Sequence, residues 1–209
     1  MGVDTKQRLI DGALDAVRKH GIAGVSARTV AAEAGLNQAL VFYHFGTVDE
    51  LLAAACQSGT ERRVTAYRDR LAGVSSLREL LGLGRTLHEE ERRLGNVTVL
   101  AQLLAGAQTE HRLRAPVAAA LRLWTDEIEA TLHRILGTSV LRELADPAGL
   151  AVAVSAAFIG LELYEGVDRA GARAALDALD RLAVLADVVE DLGPVGRRAL
   201  RARTRKAAS

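Results

Sequence analysis

The sequence predicts an all-α protein: a small three-helix unit to residue 46, then a larger helical bundle, about nine helices in all. Three observations carry that expectation. No stretch alternates apolar and polar residues long enough for a sheet, and no repeat of solenoid length occurs. The chain is 49% hydrophobic but only 3% aromatic, so its core must be mostly Ala, Leu and Val, the first two of which favour helix. Helix-capping residues also recur along the whole chain.

Asp4 with Gln7 has the spacing to cap a first helix whose Leu9, Ala13, Leu14 and Val17 share one face. Gly21 and Gly24 end it. Ser26 caps a short second helix that stops at Gly35, and Asn37 caps a third. Thr47 with Glu50 has capping-box spacing and opens a fourth helix, through Leu51, Leu52 and Ala55 to the vicinity of Leu71. Ser76 with Glu79 repeats the device for a fifth, ending near Gly95, and Asn96 starts a sixth. Pro116 suits the first turn of a seventh, in which Val117, Leu121, Trp124, Ile128, Leu132 and Ile135 step by three and four as a buried stripe. Asp146 and Pro147 start an eighth reaching the region of Gly166, and a ninth covers Ala172 to Leu192.

The stretch AAEAGLNQALVFYHFGTVDELL, residues 31–52, holds three of the chain's Phe, Tyr and Trp residues, which number 3, 3 and 1. Its first two helices are separated only by Gly35, Leu36 and Asn37. Gly35 supplies the positive φ of a sharp turn, and Ala31 lets the helices approach. Val30, Leu36 and Val41 are placed to face inward. This is the helix-turn-helix arrangement, whose second helix enters the major groove of DNA.

RLIDGALDAVRKHGIAGVSARTVAAEAGLNQALVFYHFGTVDELL, Arg8 to Leu52, resembles the N-terminal signature of the TetR family of transcriptional regulators. Beyond it the likeness rests on length and helical outline alone. The resemblance implies a helix-turn-helix domain at residues 1–46, a ligand-binding and dimerisation domain at 47–192, and a homodimer. It implies binding to double-stranded operator DNA with release by a small-molecule effector. It also implies that Arg28 and Thr29 contact DNA from the second helix, and that Gln38, Ala39, Tyr43 and His44 belong to the reading helix. Gln suits an adenine edge and Ala39 a thymine methyl. Asn37 suits a cap or a phosphate, and Thr47 with the first N–H groups of the fourth helix suits a phosphate.

Two positions depart from the family pattern. Phe42 stands where the family usually has a phosphate-holding tyrosine, and Val48 where it often has a lysine. Phe42 and Phe45 are expected at the junction with the fourth helix, with Tyr43 and His44 facing the groove, and Phe42 is also counted among the candidate DNA contacts. Residues 1–50 carry five Lys and Arg against six Asp and Glu, so the reading head has little charge for generic attraction to phosphate.

The eighth helix, GLAVAVSAAFIGLELYEGV, is apolar nearly all round, with Ala153, Ala156, Ala157 and Gly160 permitting close approach. The ninth has Leu176, Leu179, Leu182, Ala183, Leu185, Ala186, Val189 and Leu192, too many for one modest face. The two helices from each subunit are expected to form a two-fold four-helix interface, a wholly internal core being the alternative. Candidate effector contacts are polar residues set in apolar runs, Gln102 and Glu162, with Trp124, Phe158, His88 and His111. The Leu, Ala and Val content favours a largely hydrophobic effector. Glycines 82 and 84 weaken the fifth helix, through either mobility or close packing.

The five histidines, at 20, 44, 88, 111 and 133, show no metal-binding spacing, and no GxSxG or phosphate-cradling loop occurs. The run EEERR at 89–93 is expected to be a solvated face with ion pairs. The single cysteine, Cys56, excludes an internal disulfide and is expected to pack between helices. No enzyme activity, cofactor or metal is expected. No apolar run is expected to reach membrane-span length, the Met1 end lacks a signal pattern, and a cytoplasmic location follows. Residues 193–209 carry six basic residues and no acid, a solvated mobile tail or a nucleic-acid contact. Two competing functions remain: a ligand-binding protein of this fold without operator binding, and a constitutive DNA-binding protein without an effector.

Overall fold

The computed structural model describes residues 2–137, 146–190, 192–196, 198, 199 and 202. In chain order the helices are α1 (Gly2–His20), α2 (Ala27–Ala34), α3 (Ala39–Phe45), α4 (Val48–Ala72), α5 (Leu77–Arg93), α6 (Asn96–Thr109), α7 (His111–Leu136), α8 (Pro147–Glu165) and α9 (Arg169–Glu190). A single 3-10 turn, Ile22–Gly24, joins α1 to α2, and no strand occurs among the described residues. Most of the basic tail, and the side chains of Leu182, Ala183, Ala186 and Val189, lie outside the described residues.

The chain forms two compact units. The first is Met1–Ala66 with Glu91–Leu123, and the second is Tyr67–Glu90 with Trp124–Ser209. The unit that contains residues 1–46 also includes α6 and parts of α4 and α7, which pack with it. Helices α4, α5 and α7 contribute residues to both units.

In the first unit Leu9, Ala13, Val30, Val41 and Leu51 are fully buried around one centre. A second cluster gathers Val17, Leu52, Cys56, Leu103, Leu113 and Val117. Each buried Leu or Val contributes roughly 1.5–3 kcal/mol of transfer free energy. Gly12 sits where α1 meets α2: a Cβ there would lie 2.9 Å from the Val30 carbonyl oxygen and from the nitrogen and Cβ of Ala34. Polar contacts tie α1, α4, α5 and α6 together. Arg18 donates to Asn96 (3.4 Å), Asn96 donates to Glu91 (2.8 Å), and Arg63 pairs with the same carboxylate at 2.5 Å.

In the second unit Leu71, Val74, Leu80, Leu132, Ile135, Leu136 and Ala151 form the core, with Trp124 and Ile128 partly buried against it. Arg134 donates to the carbonyls of Leu71 (2.7 Å) and Val74 (3.2 Å), satisfying backbone acceptors where α4 ends. Arg85 on α5 bridges Asp177 (3.0 Å) and Asp180 (2.5 Å) on α9. The hydrogen bond to Asp177 comes first among the effects that raise its already high pKa.

Several expectations are corrected. α1 begins at Gly2, so Asp4 lies in its first turn, and Gln7 donates to Asp11 instead of serving a cap. Pro116 is inside α7, which starts at His111. Arg114 reaches back to the carbonyls of Ala107 and Gln108, joining the end of α6 to the start of α7. Glu91 in the EEERR run is buried, because Arg63 and Asn96 satisfy its carboxylate. A Cβ on Gly82 or Gly84 would meet nothing within 4 Å, so close packing does not explain these glycines. Among the described residues one helix, α8, is long and apolar enough by length and composition to cross a membrane, contrary to the sequence expectation. It also carries Glu162 and Glu165, whose carboxylates face the His88 ring.

Candidate nucleic-acid interface and effector cluster

The reading head is assembled by caps. Ser26 accepts a hydrogen bond from the Thr29 N–H (3.2 Å), and the Thr29 hydroxyl accepts from the Ser26 N–H (2.8 Å). This reciprocal box starts α2 and engages the Thr29 hydroxyl locally. At the other end Gly35 adopts φ 63°, ψ 39°, and Leu36 N–H returns to the Ala31 carbonyl at 2.9 Å. An L side chain at that φ would be strained, so the tight turn depends on the glycine. Asn37 then starts α3, its side-chain oxygen accepting from the Ala39 N–H at 2.9 Å.

Along α3 the inward residues are Val41, fully buried, and Leu40 and Phe45, partly buried against the same core. Gln38, Ala39, Phe42 and Tyr43 form the exposed face, spaced so that one turn of helix presents all four. Phe42 is 54% exposed, which corrects the junction role expected for it; Phe45 alone takes that place. The ring of His44, half-buried, meets Tyr43 edge-on at 4.9 Å. Gly46, at φ 74°, ends the helix, and α3 and α4 meet at 69°.

Thr47 and Glu50 form the second capping box. Glu50 N–H donates to the Thr47 hydroxyl (3.1 Å), and Thr47 N–H donates to the Glu50 carboxylate (3.2 Å). Two donors expected to meet a phosphate are therefore engaged within the protein. Val48 packs against both hydrophobic clusters of the first unit, which gives a physical reason for an apolar residue there.

The cations of the head are mostly engaged as well. Arg8 donates to the carbonyls of Ala34 (2.9 Å) and Gly35 (3.3 Å), satisfying the end of α2. Lys19 pairs with Glu33 at 2.5 Å, a hydrogen bond that raises the lysine's pKa and lowers the carboxylate's. Arg18 pairs with Asp15, and Lys6 lies over the Phe45 ring, 5.9 Å from its centroid. Arg28 is exposed at the start of α2.

Of the six effector candidates, two belong to the first unit and four to the second. Gln102 belongs to the first unit, where its side-chain oxygen accepts from the Ile22 N–H (3.1 Å) and holds the 3-10 turn. His111 is exposed in the same unit, at the start of α7. In the second unit Trp124 stacks near Tyr67, ring centroids 6.0 Å apart. Three candidates do meet. His88 on α5 contacts Glu165 at 2.5 Å through Nε2, faces Glu162 at 3.8 Å through Nδ1, and meets Phe158 edge-on at 5.9 Å. The side chains of His88 and Glu162 are 6% and 4% exposed, so the imidazole and carboxylate are held out of water. Glu165 was missed from sequence, although its spacing of three from Glu162 placed both on one side of α8.

Two short capped helices around a left-handed glycine, with the second presenting an exposed face, define a helix-turn-helix transcriptional regulator. Comparison with known proteins makes the class specific. The family model described as bacterial regulatory proteins, tetR family, matches residues 9–55. A structure assigned to the TetR-family regulators, from Rhodococcus sp., is 28% identical, with a TM-score of 0.69 over 90% of this chain and 100% of its own. The multidrug binding protein EbrR, complexed with imidazole, is 31% identical, with a TM-score of 0.58 over 83% of this chain and 93% of its own. The nicotine-responsive transcriptional repressor HdnoR of Paenarthrobacter nicotinovorans is 30% identical over 104 residues, 50% of this chain and 54% of its own. The chain belongs to the TetR family of transcriptional regulators.

Proposed function

We propose that the protein is a homodimeric, ligand-responsive repressor that binds a near-palindromic operator and leaves it when a small effector binds. The observation that carries the reading is the exposed face of α3, Gln38, Ala39, Phe42 and Tyr43, set on a turn held by caps at both ends. Arg28 stands beside it as a phosphate contact, with Thr29, Asn37, His44 and Thr47 positioning the helices.

Dimerisation through α8 and α9 is supported by what those helices leave uncovered. Val152, Leu163, Tyr164 and Val167 are exposed in and just after α8, and Val184, Leu185 and Val188 on α9. A second copy would cover these residues, and paired heads would then meet two half-sites one helical turn apart. The same pairing would cover an α8 apolar enough to cross a bilayer, which supports the reading of a cytoplasmic protein.

The effector is a small, largely hydrophobic molecule received near Phe158, Glu162 and His88, with Trp124 a further candidate in the same unit. HdnoR responds to nicotine and EbrR binds multiple drugs, which supports a nitrogenous apolar class. Because α4, α5 and α7 run through both units, an altered packing around His88 reaches the reading head along continuous helices. The effector then stabilises the arrangement in which the two heads mismatch the operator.

Selection of bound sequences from random duplex DNA, at two salt concentrations, tests the proposal. An enriched near-palindrome supports it and supplies the probe for effector screening. No enrichment from a folded dimer at either salt would leave a ligand-binding protein of this fold as the better reading.

A further inference from the structure

α5 carries three polar side chains at steps of three, Arg85, His88 and Glu91, and each reaches a different neighbour. Arg85 bridges Asp177 and Asp180 on α9, and His88 meets Glu165 on α8 at 2.5 Å. Glu91 accepts from Arg63 Nε on α4 (2.9 Å) and from Asn96 Nδ2 on α6 (2.8 Å). Asn96 in turn accepts from Arg18 on α1 at 3.4 Å, and α1 packs against α2 of the reading head. The boundary between the two compact units falls inside α5, between Glu90 and Glu91. His88 and Glu91 lie within one turn of the same continuous helix, so a shift of α5 that begins at His88 moves the Glu91 carboxylate. Glu91 is buried and its two oxygens are bonded to different helices, so a displaced carboxylate takes Asn96 with it or loses that bond. Among the described residues, the buried side-chain polar atoms left without a hydrogen-bond partner are Arg85 Nε and Arg18 Nε, at the two ends of this series. A buried donor without an acceptor favours rearrangements that supply one.

We propose that α5 carries the regulatory signal, and that Glu91 is the positioning residue that passes it to the reading head through Asn96 and Arg18. The inference rests on the effector-responsive reading above and gives it a particular route. The surface pair Arg62–Asp11 (2.8 Å), which joins α4 to α1 directly, lies outside that route.

A double-mutant cycle on the full chain tests it, with affinity for the selected operator duplex as the readout and far-UV circular dichroism to show each variant folded. His88→Ala severs the Glu165 contact in place of an effector, and Glu165→Gln weakens the same contact should the first variant unfold. Operator affinity is expected to change about tenfold in His88→Ala, a size typical of coupling between sites. Asn96→Ala leaves the Arg63–Glu91 pair in place, and in that background the change is expected to shrink to about twofold, the scatter of independent sites. Arg18→Met, which keeps the stem against Gly95 and removes the guanidinium, is expected to do the same. Arg62→Ala is expected to leave the change intact. An undiminished change in either Asn96→Ala or Arg18→Met overturns the inference, as does a change that Arg62→Ala also removes. So does unaltered operator affinity in both His88→Ala and Glu165→Gln. Failure of the wild type to bind any operator removes the reading beneath it instead.

Discussion

Gly12→Ala sets two effects of opposite sign against each other. In a helix interior alanine is favoured over glycine by about 1 kcal/mol, so local propensity predicts a gain. The structure predicts a loss. The new methyl would stand 2.9 Å from the Val30 oxygen, the Ala34 nitrogen and the Ala34 Cβ, and two of those atoms are backbone of α2. Ordinary carbon contacts lie at roughly 3.5–4.0 Å, so α2 must retreat by about half an ångström or more. Overpacking of this kind costs about 1–3 kcal/mol, and three simultaneous contacts without a flexible side chain to yield put it at the upper end. The net expectation is a loss of about 2 kcal/mol, or roughly 4–8 °C in Tm for a chain of this size. Because α2 leads directly through Gly35 into α3, operator affinity should fall as well. The control is Gly82→Ala, where the added methyl meets nothing within 4 Å and stability should rise by about 1 kcal/mol. Urea and thermal denaturation followed by far-UV circular dichroism read both. A Gly12→Ala protein as stabilised as the Gly82→Ala control would refute the argument from close approach.

Burial raises the Cys56 thiol from 9.0 to about 11, so the folded state keeps a proton that the unfolded chain releases. Stability should therefore fall as pH rises through that interval, by about 2 kcal/mol more in the wild type than in Cys56→Ala; parallel urea midpoints at pH 8.5 and 11 check it, and identical losses refute it. Arg28→Ala should weaken operator binding and make the dependence of log Kd on log salt shallower by about 2 for a dimer; an unchanged slope removes Arg28 from the phosphate contacts. Glu162→Gln, with a carboxylate 3.8 Å from the buried His88 ring, should change the effector response while operator affinity stays the same, as titration of the operator complex would show. Unaltered release across effectors would return Glu162 to a purely structural part.

The all-α class, the turn at Gly35, and the caps at Ser26, Asn37, Thr47 and Asp146 were legible in the chain. These are local: a cap bonds three residues away, a positive φ belongs to one glycine, and a stripe needs only the helical period. The inward set Val30, Leu36 and Val41 followed from that period, and so did most of the buried face of α1. Tertiary structure decided what depends on residues far apart. Gln102, a candidate by its place in an apolar run, accepts from the Ile22 N–H eighty positions earlier, a partner the run itself does not reveal. Glu91 in a charged run is buried because Arg63 comes from another helix, and His88 acquires its meaning only where α8 brings Glu162 and Glu165 against it. Phe42 shows the limit most plainly: an apolar side chain states a preference for leaving water, but only the packing of its neighbours decides whether the protein itself can satisfy it.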